Sequence, residues 1–212
     1  MGTYKKGILG SFSGKVGTVV GSSWRGIDYM RSLPRPSSKA PTDLQLVQRA
    51  RMGLAAGFLR PISALVNVGY KSLAVKQSGY NVATAQVISE GISGTYPNLL
   101  IDYPNVLISK GTLTGAWGPA VTSTGGNLNV TWQDNSTSGT AKATDKAVLL
   151  VYNELQSQYV FTLDGDARSL LGDTLVLPTD FVGDEVHVWI AFYAADKKTI
   201  STSSYIGTVI IA

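Results

Sequence analysis

Cysteine is absent from the 212-residue chain. Its absence excludes disulfides, thiol catalysis and zinc–thiolate sites together, and leaves the compartment open. Histidine is nearly absent: His187 stands alone, with no second histidine to share a metal. It lies within an alternating apolar run, where a structural role is expected. No stretch approaches the roughly 18–20 consecutive apolar residues that span a bilayer, so no membrane span is expected. Charge is sparse, at 15% of residues against 44% hydrophobic, which is too apolar for a disordered chain. The opening Met1-Gly-Thr-Tyr-Lys-Lys resembles the start of a leader, but the glycine- and serine-broken segment after it has no continuous apolar core. No cleaved signal is therefore expected. On these grounds location stays open: a virion or extracellular surface if another route exports the chain, the cytoplasm otherwise.

What charge there is lies unevenly. Residues 1–76 carry twelve Lys or Arg against Asp28 and Asp43, a net of +10, while residues 77–212 carry six against twelve acids, a net of −6. Such a polarity suits head-to-tail contact with another copy, or attraction to a polyanion.

The hydrophobic period divides the chain at about residue 97. Gly-rich, β-forming residues fill 1–34, and Lys15–Trp24, Arg25-Gly26 and Ile27–Leu33 read as strand, turn and strand. Strands this rich in glycine hold their register weakly and need a partner surface. Pro34–Pro41 reads as an extended linker. Thr42-Asp-Leu-Gln45 has the form of a capping box and opens an amphipathic helix over 43–59, ended by Pro61. Further helices are expected at about 62–75 and 79–91. From residue 98 the period becomes two. Short β-runs follow at 99–109, 127–133, 146–153, 159–163, 174–177, 185–194 and 204–211, the spacing of an antiparallel sandwich. The expected fold is thus mainly β with a short α-helical insert. Its expected parts are a basic hairpin arm plus helices over 1–97 and a β-sandwich over 98–212. Trp132, Val148, Leu150, Tyr152 and Val188 are its expected core residues.

No motif carries catalysis. Gly14-Lys15-Val16 lacks the spacing and following helix of a phosphate-binding loop, and no Gly-x-Ser-x-Gly elbow occurs. Asp164, Asp166 and Asp173 surround Gly165, but Arg168 stands where a calcium loop wants a ligand, and a solvated turn is expected. No catalytic, cofactor or metal residues are assigned, and the chain reads as non-enzymatic.

Residues 113–212 resemble a fibronectin type III or immunoglobulin-like sandwich. The resemblance rests on Leu128-Asn-Val-Thr-Trp132, Ala147–Tyr152 and Glu185–Tyr193. The whole chain is similar to a family of roughly 200-residue Bacteroidota proteins of unknown function. That similarity rests on Gly7–Trp24, Met30–Pro34, Gln48–Gly53 and Ser203–Gly207, and it implies no activity.

The leading expectation is a structural subunit that assembles with itself. Its expected contact surface holds Lys15, Val16, Val19, Val20, Trp24, Arg25, Tyr29, Arg31, Arg49 and Arg51, because unpaired arginines and exposed β-edges suit interfaces. The same cations, interleaved with Trp24 and Tyr29, also suit phosphates and stacked bases, so nucleic acid or an anionic surface stands as the alternative partner. A third reading uses Trp117 or Trp132 as a sugar-stacking platform, against core packing for both.

Overall fold

A computed structural model describes residues 2–4, 10–24, 26–35 and 38–212. Two compact units emerge, Met1–Leu46 and Val47–Ala212.

The first unit is an antiparallel sheet of order β1-β2-β3-β4, formed by Thr3–Tyr4, Phe12–Val16, Val19–Trp24 and Ile27–Ser32. The single long strand expected over 15–24 is two strands. Val16 faces Val19 across a two-residue turn, and Gly17 takes a positive φ of 60° there. Gly21 is needed for a different reason: a Cβ at this position would run into the Phe12 carbonyl, so β2 and β3 approach closely only because the side chain is missing.

Helix α1 (Asp43–Leu59) starts at the end of the first unit and runs on into the second, where α2 (Ser63–Gly69) and α3 (Gly79–Glu90) also precede the main sheets. The α1 cap forms as its residues dictate. The Thr42 amide donates to Gln45 Oε1 at 3.2 Å, and the Gln45 amide donates to Thr42 Oγ1 at 3.4 Å. Hairpin β5 (Ile92–Thr95) and β6 (Asn98–Ile101) follows. The strand expected over 99–109 stops at Ile101, because Pro104 cannot donate to a ladder and Tyr103–Asn105 close into a 3₁₀ turn.

Seven strands then build two antiparallel sheets: β7 (Trp117–Thr124), β8 (Asn127–Gln133), β9 (Lys146–Asn153), β10 (Gln158–Thr162), β11 (Gly172–Val176), β12 (Glu185–Tyr193) and β13 (Ser204–Ile210). The orders are β10-β9-β12-β13 and β11-β8-β7. Strand β7 escapes sequence reading because Pro119 interrupts it. It tolerates that proline as an edge strand with a bulge between Trp117 and Ala120.

One core lies between the two sheets, where Leu128, Val130 and Trp132 meet Ala147, Leu149, Val151, Val186, Val188, Ile190 and Phe192. A second lies on the other face of the four-stranded sheet, where Val148, Leu150, Tyr152 and Trp189 pack against Phe58, Leu59, Leu65 and Val87 of the helices. Two expectations change here. Val148, Leu150 and Tyr152 face the helices, not the space between the sheets; only Trp132 and Val188 of the expected core residues lie inside the sandwich. The helices, placed by sequence with the arm in a 1–97 domain, belong from Val47 onward to the second unit, because their apolar face is buried on this sheet. No single helix among the described residues is long and apolar enough to cross a membrane. The α1–α2 pair has the composition but bends by 94° and buries its apolar side in this core.

Candidate assembly surface

The arm buries almost nothing of its own. Among the described residues of the first unit only Gly21 is buried, and every residue of β4 is exposed. Trp24 is 61% exposed, Ile27 63% and Met30 71%. Cross-strand pairing sorts the expected contact residues. Lys15 pairs with Val20, Val20 with Arg31, Ser22 with Tyr29 and Trp24 with Ile27. Paired residues share a face, and residues two apart on a strand do too. One face therefore presents Lys15, Val20, Trp24, Ile27, Tyr29 and Arg31, a cationic–aromatic surface. Val16 and Val19 lie on the opposite face with Met30. Arg25 lies outside the described residues. A sheet of this size with no buried side chain is stable only when something covers it.

The two helix arginines part company. Arg49 is exposed. Arg51 turns inward, and its Nη2 donates to the Ile88 carbonyl at 2.6 Å, near the C-terminus of α3. It is thus committed within its own unit rather than to an outward contact surface.

On the second unit, a groove of about 370 Å³ lies beside the β9–β10 hairpin, bounded by Leu54 and Phe58 of α1, Leu100 and Ile101 of β6, Tyr103, Tyr152 and Tyr159. Among the described residues lining it, Glu154 is the only charged one. The rings pack against each other, with Tyr152 and Tyr159 stacked at 4.4 Å and Phe58 edge-on to Tyr152 at 5.4 Å. Burial, then Glu154 and Tyr152, push the Tyr103 phenol well above its ordinary range. Beside it, the His187 and Tyr103 rings lie 3.8 Å apart at a tilt of 31°, with His187 Nδ1 2.8 Å from the Tyr205 hydroxyl and Nε2 3.7 Å from Glu154. Burial holds the imidazole below its usual pKa despite Glu154 and Glu185. The tyrosine contacts, which sequence reading missed, come from three separated segments.

The aspartates near Gly165 form a turn: Asp173 accepts the Asp166 amide at 3.0 Å. Among the described residues no three His, Cys, Asp or Glu side chains gather in a metal-binding group. Arg168 points away from this turn into the core, where it pairs with Asp145 at 3.3 Å, both side chains fully buried. Of the tryptophans weighed as platforms, Trp132 is core, its Nε1 donating to the Arg168 carbonyl at 2.8 Å, while Trp117 is half exposed.

Fold and surface together define a β-sandwich with helices packed on one sheet and an exposed β-arm before it. The chain belongs to a family of unknown function, DUF6266, matched over residues 11–207, from the start of β2 into β13. No curated protein and no solved structure matches it.

Proposed function

We propose that this protein is a non-catalytic structural subunit that assembles with copies of itself, as a filament, a virion or tail component or a surface coat, with the arm as its contact element. The observation that carries this reading is β4, an edge strand with all six residues exposed in a sheet whose only buried described residue is a glycine. An uncovered strand edge gains affinity by joining another sheet through main-chain hydrogen bonds. The strand orders β11-β8-β7 and β10-β9-β12-β13 support a fibronectin type III-like reading of the sandwich. The N-terminal glycine motif supports relatives in Bacteroidota. A virion or an extracellular surface is the setting that fits such a subunit.

Deleting residues 1–33 tests the reading by sedimentation velocity. Assemblies should disappear while the Val47–Ala212 unit stays folded; a truncated chain that sediments as the same polymer rejects it. A second reading, nucleic-acid association, draws on the face that sets Lys15 and Arg31 beside Tyr29 and Trp24.

A further inference from the structure

We infer that the acceptor for the arm is the outer edge of β10 in a second copy, so that β4 of one subunit extends the four-stranded sheet of the next. This rests on the self-assembly reading and adds the surface that receives the arm.

Apart from the short four-residue strands of the β5–β6 hairpin, four strands end the sheets of the second unit, and three of them carry features that discourage pairing. β7 holds Pro119 and a bulge, β11 holds Asp173, and β13 is distorted by Gly207 at φ 132° and a register shift in its ladder with β12. Proline, charge and bulges are the devices by which natural edges avoid unwanted strands. β10 has none of them, so the only strand charges in the proposed pair, Asp28 and Arg31, come from β4. Its sequence, Gln-Tyr-Val-Phe-Thr, is uncharged and rich in β-formers, and Tyr159, Val160 and Phe161 remain only partly buried. Beyond its ladder with β9, no main-chain hydrogen bond among the described residues engages 158–162. Its length of five residues matches the six of β4.

Charge favours the same pairing. Residues 1–46 carry seven Lys or Arg against two acids. The strand β10 runs from the turn holding Glu154, past the groove beside Tyr159, to the turn holding Asp164 and Asp166. A β4 strand laid along this edge brings Ile27 and Tyr29 to an apolar groove and Arg31 to a region of carboxylates. Donor and acceptor edges differ, so the contact is heterologous and repeats into a ring or a filament.

The absence of cysteine makes single introduced thiols unambiguous. Met30→Cys in β4 and Thr162→Cys in β10 are prepared as separate full-length proteins, mixed, and treated with a short bis-maleimide that tolerates small differences of register. The mixture should give several-fold more covalent dimer between the two variants than either gives alone. Dimers formed only between two Met30→Cys chains overturn the inference in favour of β4 pairing with itself. Closure of a doubly substituted chain on itself, with no dimer in the mixture, overturns it in favour of docking within one chain. If residues 1–33 prove necessary for assembly but the mixed dimer is missing, β10 is rejected and self-assembly stands. If their deletion leaves assembly intact, both fall.

Discussion

Arg168 donates from every guanidinium nitrogen while showing no solvent exposure. Its Nε reaches Asp145, Nη1 reaches the Gly115 carbonyl and Asn135 Oδ1, and Nη2 reaches the Thr114 carbonyl at 2.8 Å. The guanidinium also lies 3.7 Å from the centre of the Phe192 ring. The residue thereby ties three loops to the sandwich core. Arg168→Ala would leave the Asp145 carboxylate buried without its partner, and should lower unfolding free energy by about 3–5 kcal/mol in urea titrations. Adding Asp145→Asn should recover part of that loss, since the stranded charge is removed; a purely additive double variant would contradict the coupling. His187 gives a pH signature. Its folded pKa lies below the unfolded value, so between the two the unfolded chain holds more protons and stability rises with pH. Melting temperature should therefore fall as pH drops below about 6.5, the ordinary histidine value. The His187→Gln variant should show a flatter profile across that window than the parent.

At the scale of elements, the turns and caps follow local chemistry while the sheet edges follow context. The β7–β8 hairpin closes through Gly125-Gly126 with φ of 60° and 77°, the doubly positive turn that matches strand twist. The arm depends in the same way on Gly21. Gly21→Ala forces β2 and β3 apart at the Phe12 carbonyl. It should abolish assembly in sedimentation and leave the melting of the Val47–Ala212 unit unchanged, because that unit holds its own cores. A variant that assembles normally would show that the β2–β3 contact is irrelevant to the function of the arm.

For the molecule as a whole, the charge polarity is smaller than the sequence halves suggest. Divided where the structure divides, residues 1–46 carry +5 and residues 47–212 carry −1, since the five cations between residues 47 and 76 share a unit with the acids of the sandwich. Strand pairing and apolar contact should then outweigh ion pairs, each contributing about 0–1 kcal/mol when exposed. Assemblies should persist at 200 mM salt, as measured by light scattering. Retention on heparin or DNA through roughly six phosphates should weaken by about three decades between 50 and 200 mM. A stoichiometric DNA complex that survives 200 mM salt, without self-association, would favour the nucleic-acid reading.

The amino-acid sequence by itself determined the elements governed by neighbouring residues. These are α1 from Thr42 to Pro61, the strands 127–133 and 146–153, and the arm strand that follows the Arg25-Gly26 turn. Periodicity and capping act over a few residues, so they are visible in one dimension. Tertiary structure alone decided which side of β9 meets helices and which meets strands. Seven of its eight residues are buried, and a strand apolar on both faces does not say what will cover each. It also decided that Arg51 turns inward to Ile88, that Arg168 is sealed in the core, and that Pro119 is tolerated at a sheet edge. Each of those outcomes depends on groups tens of residues away, brought together by burial of surface rather than by any local preference of the chain.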